Sequence, residues 1–138
     1  MRVSIGLLAI SAVLLSCSDL ANEGLPQVTI RTDGVSYAVG QSISVATNNE
    51  LQEMVVIAPC CSDPNFRIQR RNGTTWTMVF PECDKLMCPS VLLPLSPQSK
   101  RIDTIRILTA GYYRLMLRYQ NQRTLETDSA YSNEFIVQ

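Results

Sequence analysis

Histidine is absent from the 138 residues of this sequence. Its absence excludes the Ser-His-Asp triad, the Cys-His dyad and every metal site that needs an imidazole ligand. Excess charge of either sign is also lacking, because twelve basic side chains balance twelve acidic ones. A chain with zero net charge lacks the basic surface with which proteins bind nucleic-acid phosphates. The sequence therefore predicts no nucleic-acid partner.

Motifs that carry chemistry are missing as well. The sequence contains no Asp-x-Asp calcium loop, no glycine-rich phosphate loop and no Gly-x-Ser-x-Gly turn. Its carboxylates are scattered rather than paired. We therefore expect a protein that is not an enzyme, with no catalytic residue, no metal ion and no cofactor. The alternative is a small hydrolase, or a protease inhibitor that presents residues 81–98 as a loop.

The longest apolar run, at residues 5–15, is too short to span a membrane. It has about 11 residues, whereas a spanning helix needs roughly 20. A run of this length behind a basic residue, here Arg2, is typical of a secretory signal peptide. The run leads into Leu14-Leu15-Ser16-Cys17. These four residues resemble the lipobox of bacterial lipoproteins, which has a leucine three residues before the cysteine and a small residue just before it.

The lipobox resemblance implies an anchor and a domain organisation. In that family the cysteine thiol is acylated and the chain is cut just before it, which implies a signal peptide at 1–16 and lipid on Cys17. A tether would follow to residue 26, and a single domain would occupy 27–138. Two or three acyl chains anchor a protein stably where one does not. We expect this lipid to make the membrane a partner in the bacterial cell envelope. The resemblance to proteobacterial lipoproteins, whose sorting depends on the residue after the cysteine, implies the outer membrane because that residue is Ser18. The alternative is an ordinary secretory signal.

The remainder of the chain favours β-structure. No segment keeps a 3.6-residue apolar period, and short runs rich in β-branched and aromatic residues alternate with turn residues. The Asn72-Gly73 pair between two such runs predicts a hairpin turn in which both residues take positive φ. The predicted strands are 27–32, 35–39, 42–47, 53–58, 66–71, 75–80, 101–108, 112–120 and 132–137.

About nine short strands at regular spacing indicate an all-β sandwich. Residues 111–115 (GYYRL) resemble the tyrosine corner of immunoglobulin-like domains, which implies that the Tyr113 hydroxyl bonds backbone a few residues upstream. Residues 130–135 resemble the last strand of bacterial immunoglobulin-like modules. Leu115 stands where the second inter-sheet cysteine would be, and Trp76 lies on a later strand than the usual core tryptophan. The resemblance implies an immunoglobulin-like antiparallel β-sandwich of about seven to nine strands, and the alternative is a lipocalin-like barrel.

Four cysteines follow Cys17 in the sequence. They are Cys60, Cys61, Cys83 and Cys88. An even number of cysteines outside the cytosol predicts two disulfides. Adjacent cysteines point in different directions, which favours bonds from Cys60 and Cys61 to the other two, in either pairing. A four-cysteine metal site and a redox-active vicinal disulfide are the alternatives, and the first lacks the CxxC spacing of zinc sites.

Two rows of arginines are candidate binding residues. Arg67 and Arg71 share one face of a predicted strand, and Arg114 and Arg118 share one face of another. An immunoglobulin-like topology would place both strands in one sheet, where outward rows would form a basic strip for a protein or glycan partner. The alternative is an ordinary solvated surface in which Glu134 and Glu53 pair with these arginines.

Overall fold

A computed structural model describes residues 27–57, 66–80 and 92–138 of the chain. These ranges are all-β, with eleven strands in two sheets. None of the described residues forms a helix of the length and apolarity that crossing a membrane requires. The strands are β1 (Val28–Thr32), β2 (Ser36–Tyr37), β3 (Ser42–Asn49), β4 (Val55–Ile57), β5 (Arg67–Asn72), β6 (Thr75–Phe80), β7 (Leu93–Leu95), β8 (Ser99–Arg106), β9 (Gly111–Asn121), β10 (Thr127–Tyr131) and β11 (Phe135–Val137).

The two sheets have different organisations. The small sheet has the order β1-β3-β8, and both of its pairings are antiparallel. The large sheet is built around β9, which pairs with β4 and β5 along one side and with β10 and β11 along the other. Farther out, β7 pairs with β4, β6 pairs with β5, and β2 pairs in parallel with β11. The strand β9 therefore positions most of the large sheet.

The core lies between the two sheets because their strands alternate in burial. In β3, Ile43 and Val45 are buried and their neighbours are not. In β9, Leu115 and Leu117 are almost completely buried and join β3 in one apolar cluster. Phe135 packs between two rings of this cluster, edge-on to Tyr37 at 5.7 Å and stacked on Tyr113 at 6.1 Å between centroids. The two inner faces thus form the single core of a β-sandwich.

The predicted contact of Tyr113 is present. Its hydroxyl donates a hydrogen bond of 2.9 Å to the carbonyl oxygen of Thr109, four residues upstream. The ring of Tyr113 is buried, so the bond gives its polar end a partner at the edge of the core. The prediction made from residues 111–115 is therefore confirmed for this contact.

Eleven strands are observed where the sequence predicted about seven to nine, because two short edge strands were missed. The strand β7 contains Pro94, which a strand tolerates only at an edge, and β7 is the outermost strand beside β4. The strand β10 lies in a segment for which the sequence predicts no strand, because Ala130 is its only buried apolar residue. Neither segment has the alternating apolar pattern from which strands are predicted.

The β5–β6 hairpin is present, but its turn differs from the predicted one. Asn72 pairs with Thr75, so the two residues of the turn are Gly73 and Thr74 rather than Asn72 and Gly73. Among these residues only Gly73 has positive φ, at 61°. A two-residue hairpin turn with glycine first and positive φ only there has the type II′ pattern.

Several predictions concern residues outside the described ranges. The signal peptide at 1–16, the tether and all five cysteines lie outside the described residues. The predicted loop at 81–98 is described only from residue 92 onward. The acylation of Cys17 and the disulfides of Cys60, Cys61, Cys83 and Cys88 remain predictions.

Candidate binding face on the large sheet

The outer face of the large sheet carries a group of long side chains from four adjacent strands. Pairing places Gln69 of β5 beside both Met78 of β6 and Arg114 of β9. In the same way Tyr131 of β10 lies beside Met116 of β9. Alternation along β9 turns its even-numbered residues away from the core. We call the group formed by Trp76, Gln69, Arg114, Met116 and Tyr131 the outer-face cluster.

Arg114 is the centre of the outer-face cluster. Its guanidinium carbon lies 4.5 Å from the ring centroid of Trp76 and 4.5 Å from that of Tyr131. Its Nε donates a hydrogen bond of 2.7 Å to Oε1 of Gln69. Each cation–π contact stabilises by about 0.5–1 kcal/mol at an exposed site, and by more when water is excluded. The two rings and the amide therefore hold the guanidinium in one position.

Met116 shows how closely the cluster packs. It is only 7% exposed, although it belongs to the outward-facing residues of β9. The amide nitrogen of Gln69 lies 4.0 Å from its sulfur, and Arg67 and Tyr131 are its cross-strand neighbours. An almost buried methionine on a solvent-facing sheet indicates a small apolar layer under the polar side chains.

The four predicted binding arginines all lie on this outer face, as expected from their strands. Arg71 pairs with Glu134 at 3.2 Å, and both side chains are about half exposed. Arg118 is exposed, lies opposite Ser129 and has no ion-pair partner among the described residues. Arg67 lies opposite Met116 and has an interaction partner of its own. The two rows of arginines therefore belong to a mixed polar and aromatic surface, on which acidic side chains neutralise part of the positive charge.

Of the two acidic residues predicted to pair with these arginines, one does so and the other pairs with an arginine elsewhere. Glu134 does pair with Arg71, as the solvated-surface alternative requires. Glu53 instead forms a 3.0 Å ion pair with Arg123 in the turn after β9. Both pairs are solvent-exposed on at least one side, so each contributes at most about 1 kcal/mol to stability.

Sequence reasoning missed the aromatic members of the cluster. The sequence analysis noted only that Trp76 lies on a later strand than the usual core tryptophan, whereas the β5–β6 hairpin places it across from Arg71 on the outer face. The signal was available, because Trp76 shares a face with Gln69 and Arg71 in the predicted hairpin as well as in the observed one. Tyr131 carried no such signal, because the strand that positions it has no apolar pattern.

Comparisons with known proteins identify no family for the chain. No protein-family model and no curated protein matches it. Among solved structures it is similar to the PmoD soluble domain from Methylocystis sp. strain Rockwell, with 15% sequence identity and a TM-score of 0.46. That similarity covers 83% of this chain and 94% of the other. The function is therefore inferred from the contacts of the outer-face cluster itself.

Proposed function

We propose that this protein is a non-enzymatic lipoprotein of the bacterial envelope whose β-sandwich binds a protein or glycan through the outer-face cluster. The observation that carries the proposal is the Trp76–Arg114–Tyr131 stack. Tryptophan, tyrosine and arginine are the residues most enriched at the energetic centres of protein interfaces.

The stack is suited to binding because it is exposed yet already ordered. Tyr131 is 49% exposed and Trp76 is half-buried, so a partner would cover substantial aromatic area. Arg114 is held by two rings and by Gln69 before any partner arrives. Less side-chain entropy is then lost on binding, which increases affinity without adding contacts.

The proposed fold family is immunoglobulin-like. The hydrogen bond from Tyr113 to Thr109 supports it, because a tyrosine near the start of a strand makes this contact with upstream backbone in such domains. The two-sheet arrangement around one core supports it as well. A fold of this kind carries many functions, so the binding role is argued from the surface site and not from the fold.

The proposed anchor is lipid on Cys17, as the lipobox resemblance implies. The nine residues of the tether, 18–26, reach at most ~30 Å when fully extended. The described domain begins at Gln27, directly before β1. A domain held this way stays close to the membrane surface, so its partner would be another component of the envelope.

The binding proposal is tested with a double variant of the two rings. The full chain, immobilised, is incubated with an envelope extract of the native organism and with a glycan array. We expect Trp76→Ala/Tyr131→Ala to weaken retention of the partner at least tenfold, since each ring contributes on the order of 1–2 kcal/mol.

The matched control for this variant is Ile102→Ala. Ile102 is also a large exposed side chain, 62% exposed, but it lies on the small sheet. The control should bind as the wild type does. Equal retention by the double variant, or no retention by the wild type, would contradict the proposal.

A further inference from the structure

One edge of the large sheet, formed by β10, has no strand hydrogen-bonded to its outer side in the described residues, although β1 of the small sheet lies close to it. After β1 the chain crosses from the small sheet at residues 33–35 and enters the large sheet as β2, beside β11. The crossing is fixed by two hydrogen bonds between Thr32 and Asn133, of 3.0 and 2.7 Å. The strand β2 thus covers β11, whereas β10 pairs with β9 alone in the part of the chain that the structure describes.

Hydrogen bonds at the two ends of β10 show which backbone groups point away from the sheet. Asn121 donates to the carbonyl of Glu126, and Ser132 donates to the carbonyl of Leu115. Bonded positions alternate in an antiparallel ladder, so the even-numbered residues of β10 pair with β9. The odd-numbered residues direct their backbone groups outward, and these are Thr127, Ser129 and Tyr131. Of these groups, only the Ser129 N–H has a hydrogen bond to another described residue, the carboxylate of Asp128.

The opposite wall of this edge is the free side of β1. The same alternation applies to β1, because Glu50 donates to the carbonyl of Gln27 and Asp33 donates to that of Ser44. The backbone groups of Val28 and Ile30 therefore point toward β10. Between β1 and β10 lies an open groove of about 780 Å³, and a second groove of about 530 Å³ continues it along β10.

The groove carries more negative than positive charge. Asp33, Glu126 and Asp128 line its two parts, and Arg31 is the cation among the lining residues. The floor includes Tyr119, whose hydroxyl lies 3.3 Å from Asp128. Burial, together with the charge of Asp128, raises the pKa of Tyr119 to about 12, so the ring adds no charge. A basic side chain is the complement of such a groove.

We propose that the β10 edge binds an extended, lysine-containing segment of a partner polypeptide, which adds to the large sheet as a further strand. Main-chain hydrogen bonds to Thr127, Ser129 and Tyr131 would supply affinity in this mode, and alternate side chains would supply specificity. The outward side chains of the added strand would lie next to Tyr131, at the margin of the outer-face cluster. A second copy of β10 is a poor occupant, since it would bring Glu126 and Asp128 against like charges.

The test uses a seven-residue peptide in which valine and lysine alternate, with blocked ends. Backbone amide resonances of the full chain are followed during titration with this peptide. We expect shifts and slower hydrogen exchange at Thr127, Ser129 and Tyr131. The same peptide with N-methyl groups on alternate amides should bind at least tenfold more weakly, and so should a peptide with glutamate in place of lysine.

Two variants of the protein distinguish strand addition at the β10 edge from other modes of peptide binding. Ser129→Pro removes an outward N–H that β9 does not use, so the sheet should tolerate it while peptide binding falls about tenfold. Ser129→Thr keeps the N–H and should bind as the wild type does. Equal binding of the N-methylated peptide, no response at millimolar peptide, or slow exchange of these amides before peptide is added would overturn the proposal. Trp76→Ala alone weakens the outer-face cluster without changing any residue of β10, so it keeps this test separate from that of the proposed function.

Discussion

At the scale of single residues, the buried side chain of Asn49 connects several segments of the fold. Its side chain is 1% exposed, and its amide nitrogen donates to the carbonyls of Glu53, Leu95 and Ser96 at 2.9, 3.1 and 3.0 Å. Its amide oxygen accepts the N–H of Leu51 at 3.1 Å. One buried amide thus connects the end of β3 to the turn before β4 and to β7. A buried polar group with all its partners present stabilises a unique arrangement.

Replacing Asn49 should therefore be costly. We expect Asn49→Ala to lower the free energy of unfolding by about 2–3 kcal/mol, because buried carbonyls lose their donor. Asn49→Asp should be at least as harmful at neutral pH, since a carboxylate would face three carbonyl oxygens. Urea unfolding followed by tryptophan fluorescence measures both. The neighbouring Asn48→Ala, on the solvent-facing side of the small sheet, should change the free energy of unfolding by less than about 0.5 kcal/mol. A similar loss for both asparagines would contradict the account.

At the scale of elements, the turn between β5 and β6 gives a sharp test of register. Gly73 has φ of 61° and open space where a Cβ would lie. Gly73→Ala should lower the free energy of unfolding by about 1–2 kcal/mol, because the left-handed conformation alone is unfavourable for alanine. Asn72→Ala should cost much less, since Asn72 lies in the strand rather than in the turn. Equal losses for the two variants, measured by thermal unfolding, would instead support the Asn72-Gly73 turn predicted from the sequence.

The longest strands that sequence reasoning found are strands whose burial alternates. The strands β3 and β9 have long alternating patterns, and the sequence predicted both, together with the shared outer face of Arg114 and Arg118. The strands β7 and β10 lie at sheet edges, where few side chains are buried and the pattern fades. The binding face was therefore predicted only as rows of arginines. The positions of the aromatic residues on that face depend on the pairing between strands, which no single segment encodes.

At the scale of the whole molecule, the proposals place two neighbouring surfaces on one side of the sandwich. The outer-face cluster and the β10 edge share Tyr131, so a partner that adds a strand to β10 would also reach the aromatic stack. The small sheet, which contains β1, continues directly from the proposed tether. The proposed location in the envelope depends on whether Cys17 carries a lipid.

Intact-mass measurement of the chain extracted from membranes tests this central claim most directly. The account predicts a chain that begins at Cys17 and is heavier than the bare sequence by diacylglycerol, with or without a further acyl group. It also predicts that Cys17→Ser moves the protein out of the membrane fraction. An unmodified cysteine at position 17 in membrane-extracted protein would contradict it.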